Sequence, residues 1–222
     1  DQAPKTWKEF AVTAGKLKAS GQSCVYTTGW PSWVHVENFS AWHNLPIGTL
    51  ENGIAGVDTK FEINTPQHVA QIQMLADFTK NGWFTYAGRR NEAEAKFFSG
   101  ECAMLTSSSA AQANIRKNAK FDFSVNFLPY NDAIKGAPQN SIIGGASLWV
   151  LSGKPAAEDK GVAQFFNYLS QPELQAKWHQ ETGYVPITNA AADLTRASGY
   201  YEKNPGTDIA VKQLNNKPPT AN

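Results

Sequence analysis

Thr6-Trp7-Lys8-Glu9-Phe10 opens the chain's first readable element, and Cys24-Val25-Tyr26-Thr27-Thr28-Gly29-Trp30-Pro31-Ser32-Trp33 closes the unit that decides the fold. Thr6 and Glu9 stand at capping-box spacing, so the Thr hydroxyl can accept the Glu9 amide while the Glu9 carboxylate reaches back. Trp7, Phe10, Ala11, Ala14 and Leu17 recur at helical spacing, and Gly21 stops the run in a left-handed cap. Residues 24–28 are short, β-prone and apolar. They read as a strand running into a Gly/Pro loop. The same strand-then-helix grammar returns at Cys102-Ala103-Met104-Leu105-Thr106, followed by Ser107-Ser108-Ser109 and a helix to about Lys117.

Further helices are expected at about 34–43, from Asn64-Thr65-Pro66 to Lys80, at 91–98, 156–170, 172–182, 189–198 and 207–215. In the helix after Pro66, Val69, Ile72, Leu75, Ala76 and Phe78 or Thr79 form the expected buried stripe. Strands are expected at 60–63, 123–128 and, as a buried strand, at 147–151. Alternating strands and helices argue for an α/β fold with a largely parallel or mixed sheet. No repeat or linker divides residues 1–222, which read as one α/β domain.

Composition bounds the function. The chain has 222 residues, 41% hydrophobic and 18% charged, with a net charge of +1. That is too apolar for a disordered chain and too balanced for a binder of nucleic-acid backbones. The longest apolar run, Ile142 to Leu151, is too short to span a bilayer. Two cysteines, Cys24 and Cys102, are too few for a disulfide framework; they fit either one bridge or two buried thiols. The polar start, Asp1-Gln2-Ala3-Pro4-Lys5, fits a cytosolic protein, a mature exported protein or an excised fragment. Aromatic residues reach 12%, in a chain with few charges.

No nucleophile elbow, P-loop, zincin or dinucleotide fingerprint occurs, and no metal or cofactor is expected. His35, His43, His68 and His179 are scattered and read as surface or helix-face residues. Carboxylates such as Glu92 and Glu94 read as solvated charges. Four loops stand out instead. Trp30 and Trp33 flank a Gly/Pro turn after a strand and can offer flat apolar faces to the C–H side of a polyol or sugar; the alternative is a hydrophobic anchor. Thr106 to Ser109 put hydroxyls and free amides at a helix start, an anion site without lysine; simple capping needs only one of them. Gly144-Gly145 before an apolar run lets a ligand approach backbone N–H groups, unless the pair marks a bulge. Tyr184 follows a helix stop at Gly183 and can donate from its phenol, or merely pack at a helix corner. None of the four holds a nucleophile beside a base, so a binding site is favoured over an active site.

Longer stretches then carry a resemblance: Pro4-Lys5-Thr6-Trp7, Glu37-Asn38-Phe39-Ser40-Ala41-Trp42, Ala137-Pro138-Gln139-Asn140, Ile142 to Val150, Trp178-His179-Gln180 and Tyr201-Glu202-Lys203-Asn204-Pro205-Gly206. Across essentially all its length the chain resembles the periplasmic sn-glycerol-3-phosphate-binding proteins of bacterial ABC importers. The resemblance implies one lobe of a two-lobed, Venus-flytrap fold. By the resemblance it is expected to be the C-terminal lobe, with the N-terminal lobe and a closing C-terminal segment absent from this chain. It implies a non-enzymatic, monomeric, periplasmic binding protein whose partners are sn-glycerol 3-phosphate and the permease and ATPase subunits, with no nucleic acid. Glycerophosphodiesters are further expected ligands. By position, Trp30 and Trp33 match tryptophans that wall the glycerol. Ser108, the Gly145 N–H and Tyr184 match phosphate contacts, with Ser109 and Gly144 as secondary positions. A lobe for a disaccharide, or a carbohydrate-active hydrolase using the tryptophans as a platform, remains the alternative; the hydrolase needs two carboxylates across a cleft.

Overall fold

Helix α1, Trp7–Ala19, starts where the capping box puts it. The Glu9 N–H donates to Thr6 Oγ1 at 3.1 Å, and the Thr6 N–H donates to the Glu9 carboxylate at 3.2 Å. Gly21 follows the helix at φ +93°, as its left-handed role requires. The computed structural model describes residues 2–220. After α1 come β1 (Cys24–Thr28), a π-helix (Trp33–Asn38) continuous with α2 (Phe39–Trp42), α3 (Thr49–Asn52), α4 (Pro66–Lys80), α5 (Glu92–Phe98) and β2 (Cys102–Thr106). Then follow α6 (Ala111–Asn118), α7 (Ala156–Leu169), α8 (Pro172–Thr182), α9 (Asn189–Ala197), α10 (Tyr200–Lys203) and α11 (Ile209–Leu214).

β1 and β2 pair in parallel, in register from Cys24 opposite Cys102 to Thr28 opposite Thr106. Phe84 bridges Tyr26 on the other edge of β1. The strands are joined at their starts by a Cys24–Cys102 disulfide, which decides between bridge and thiols. Their C-terminal ends are therefore left to carry the loops, the edge where open α/β sheets place ligands. Behind β1 lies the core of Trp7, Phe10, Ala14, Val25, Tyr26 and Phe78, with Met74, Leu75 and Trp83 packed against it. Part of the aromatic surplus packs here. Phe10 meets Tyr26 edge-on at 4.8 Å and stacks on Phe78 at 6.1 Å.

Several expectations are corrected. The α4 stripe is partly corrected: Phe78 is buried and Leu75 packs on the core as expected, but Val69, Ile72 and Ala76 are exposed and His68 and Gln71 are buried. The two polar residues are tolerated because each is bonded, His68 to Ser40 and Thr65, and Gln71 to His35. All four histidines are buried rather than superficial. Residues 60–63 make only a bridge, Gly48 to Phe61. Residues 123–128 form no strand and do not join the ladder of named strands. The expected buried strand at 147–151 is exposed coil, with Trp149 85% accessible. A strand exists only through a partner edge, and among the described residues the sheet has two strands. Helix α7 likewise buries no residue, leaving Phe165 and Tyr168 exposed.

Candidate functional site

Each candidate loop leaves the top of a strand or helix, and close approaches at glycine weld the loops together. Gly29 continues β1, its N–H donating to Thr106 O at 2.8 Å. A Cβ on Gly29 would stand 2.7 Å from Ser107 Oγ, so the Trp loop and the serine turn touch at the point where a side chain is missing. Trp30 then adopts φ +51°, a left-handed conformation that is rare for a bulky residue and that clusters at functional sites. It is held there by two bonds. Its N–H donates to Arg90 O at 3.1 Å and its indole N–H to Asn91 Oδ1 at 2.8 Å. The indole is left partly exposed.

Trp33 begins the π-helix, a rare geometry that is frequent at functional sites. Gly144 lies flat against it, its absent Cβ 3.0 Å from the indole Cζ2. A Cβ on the neighbouring Gly145, at φ +109°, would stand 3.2 Å from Tyr184 Cε1. Gly183 ends α8 at φ +79°, and a Cβ there would meet Ser109 O at 2.7 Å. The structure thus brings all four sequence features into one neighbourhood. Trp33 meets Gly144, Gly145 meets Tyr184, and the turn before Tyr184 meets Ser109.

The serine turn bonds the first amides of α6 internally and leaves the Ser108 hydroxyl hydrogen over. Ser108 O and Ser109 O accept the first amides of α6, from Ala111 at 3.0 Å and Gln112 at 3.1 Å. Ser108 Oγ accepts the Ala110 N–H at 3.3 Å, so its own hydrogen points away from that bond. A cavity of about 760 Å³ is lined by Trp33, Ser108, Ser109, Gly144 and Tyr184. Trp30 and Gly145 sit beside it, outside its lining. The cavity continues along β2 and residues 121–129, where Met104, Ile115, Phe123, Val125 and Leu128 line it. Such a surface can take a small polyol ester with its carbons on indole and its anionic end on hydroxyls and amides.

Sequence reasoning missed the supports. Asn91 fixes the Trp30 indole and Gly183 fixes the serine turn. Glu94, read as a solvated charge, is buried behind Ser107, whose hydroxyl donates to its carboxylate at 3.2 Å. Burial pushes the Glu94 carboxyl up. Glu92, two residues away, lies instead against Gly88. His179 anchors Tyr184: one ring nitrogen meets Tyr184 O and the other meets the Tyr201 hydroxyl at 3.1 Å. Only the glycine at 183, as a helix stop, carried a sequence signal for any of these. Among the described residues no group of metal-ligating side chains occurs.

Residues 1–207 match the family profile described as bacterial extracellular solute-binding protein. The chain belongs to that family. It is 55% identical over 219 residues to the sn-glycerol-3-phosphate-binding periplasmic protein UgpB of Pectobacterium atrosepticum, covering 99% of this chain and 49% of the relative. It is 53% identical over 219 residues to the protein of the same name from Escherichia coli, of which it covers 50%. The chain thus spans about half the length of these solute-binding relatives. In solved structures, UgpB of Mycobacterium tuberculosis in complex with glycerophosphocholine superposes with a TM-score of 0.77 at 22% identity, over 96% of this chain and 52% of that one. A cyclic alpha-maltosyl-1,6-maltose binding protein from Arthrobacter globiformis gives 0.66 at 19%, over 96% and 53%. These two establish the solute-binding fold of this mixed α/β chain and nothing of its ligand.

Proposed function

We propose that this chain is the C-terminal lobe of the solute-binding component of an ABC importer, that it takes sn-glycerol 3-phosphate, and that it does no chemistry on it. The observation that carries the reading is the convergence of Trp33, Gly144, Tyr184, Ser108 and Ser109 in the lining of one cavity, with Gly145 against the Tyr184 ring. In this reading Trp30 and Trp33 lie along the glycerol carbons. Ser108, the Gly145 N–H and Tyr184 donate to the phosphate, with Ser109 and Gly144 beside them. Hydroxyl and amide donors suit an anion whose charge is completed by a second lobe.

The lobe assignment for residues 1–222 has its own support. The exposed apolar run 147–151, the uncovered α7 and the apolar gap beside β2 are surfaces that a second lobe or closing segment would cover in this reading. A second lobe would close over the ligand by hinge motion, and the closed form would dock on permease and ATPase subunits as a monomer, with no nucleic acid. The disulfide favours an oxidising compartment, which agrees with a periplasmic location. Glycerophosphodiesters, which keep the glycerol carbons and the phosphate anion, are further ligands in this reading.

Calorimetric titration of the longer protein tests the reading. Saturable one-to-one binding of sn-glycerol 3-phosphate, with maltose silent, is expected. Maltose binding with the phosphate ester silent would transfer the tryptophans to a sugar site.

A further inference from the structure

Five buried polar side chains connect the back of the core to the candidate site. Gln71 Nε2 lies 3.2 Å from His35 Nδ1, and His35 Nε2 lies 3.0 Å from the Tyr26 hydroxyl. Tyr26 meets Thr106 Oγ1 at 2.8 Å, and Thr106 meets Thr28 Oγ1 at 2.8 Å. Thr28 ends on backbone carbonyls, Gly29 O at 3.0 Å and Thr106 O at 3.3 Å. All five side chains are buried.

The carbonyl end fixes the direction of every proton. A carbonyl only accepts, so Thr28 spends its single hydrogen there. Thr106 must then donate to Thr28, and Tyr26 to Thr106. Tyr26 has no hydrogen left for His35, so His35 Nε2 carries the proton and donates to the phenol. A neutral imidazole then has a bare Nδ1, which accepts from the Gln71 amide. Burial also pushes His35 down to about 4, in keeping with a neutral ring.

The chain's members sit on the elements that carry the candidate loops. Thr28 precedes Gly29 and Trp30. Thr106 precedes Ser107 and Ser108. His35 stands on the π-helix that Trp33 begins. We propose that this one-way hydrogen-bond chain sets the distance between the tryptophan loop and the serine turn, with His35 and Tyr26 as positioning residues for the ligand site. Side-chain chains of this kind hold their members in a single arrangement, because any slip leaves a buried donor or acceptor bare. The proposal rests on the binding reading above and adds residues that touch no ligand.

Two measurements test it. The first needs no ligand: histidine ring ¹⁵N spectra of the 222-residue chain. A neutral His35 protonated at Nε2 is expected; protonation at Nδ1 would reverse the chain and overturn the proposal. The second uses the longer protein and sn-glycerol 3-phosphate. Tyr26→Phe keeps the ring packing and cuts the chain. It is expected to weaken binding about fivefold to tenfold, to shift the Ser107 to Ser109 amide resonances, and to be non-additive with Ser108→Ala. A folded Tyr26→Phe variant with wild-type affinity and unmoved amide resonances would overturn the proposal. Where Tyr26→Phe does not fold, Gln71→Met, farthest from the site, takes its place with the same expectations. Failure of the wild-type protein to bind the ester strikes the binding reading alone, and the ring spectra and amide shifts still decide this one.

Discussion

Gly183→Ala inserts a methyl between the two turns that carry Tyr184 and Ser108. The cost follows from two observations. The residue sits at φ +79°, and its new Cβ would stand 2.7 Å from Ser109 O and 3.3 Å from Ala110 Cα. Holding alanine in the left-handed region costs about 1–2 kcal/mol. Both neighbours are backbone, so neither can swing aside. A relaxed C···O contact is about 3.3–3.6 Å, and the helix end must back off by roughly half an ångström or more. We expect a loss of about 2–4 kcal/mol in stability, the range of strain at a special backbone angle plus overpacking. Gly161→Ala is the internal comparison. It lies inside α7 with nothing within 4 Å of its added Cβ, so it removes only a helix-weakening glycine and should stabilise by about 0.5–1 kcal/mol. Urea unfolding of the 222-residue chain reads both. In the longer protein, Gly183→Ala should also weaken phosphate-ester binding by about tenfold, the equivalent of one misaligned hydrogen bond. A Gly183→Ala midpoint equal to wild type would refute the claim that this close approach welds the site.

Other outcomes follow from the same geometry. Ser108→Ala should weaken sn-glycerol 3-phosphate binding by about 1–2 kcal/mol by calorimetry, and an unchanged affinity would remove Ser108 from the site. Reducing the Cys24–Cys102 bridge frees a loop with sequence separation 78 and should cost about 4 kcal/mol in the chain-entropy account; denaturation with and without dithiothreitol measures it. His35 and His43 are both pushed down to about 4 by burial. The unfolded chain, with histidines near 6.5, then binds more protons than the native one between these values. Stability should therefore fall as pH drops from about 6.5 toward 4. His43 shows why: its Nε2 accepts the Asn131 N–H at 2.7 Å, a bond that a protonated ring cannot make. A stability flat over that interval would contradict the neutral assignments.

What the sequence disclosed depended on the range of the interaction. The capping box at Thr6 and Glu9, the stop at Gly21 and the strand starts at Cys24 and Cys102 are local signals, and all appear in the structure. The four candidate loops were legible for the same reason, since glycine pairs, serine runs and tryptophans in turns are local oddities. The buried polar positions of α4 were not. Counting apolar positions favours Val69 and Ile72, yet His68 and Gln71 are the buried residues because Ser40 and His35, remote in sequence, satisfy them. Residues 147–151 failed in the opposite way. Their apolarity marks a segment that wants a partner but cannot say which edge supplies it. Glu94 looked solvated because nothing in its neighbours announces the Ser107 hydroxyl that it accepts.

Titration of sn-glycerol 3-phosphate into the longer protein, wild type beside a Trp33→Ala and Ser108→Ala double variant, tests the central claim most directly. Saturable one-to-one binding by wild type, weakened at least tenfold in the double variant, is the predicted result. Equal affinity in the two proteins would contradict it, because the cavity lined by Trp33, Gly144, Tyr184 and Ser108 would then not be where the ligand sits.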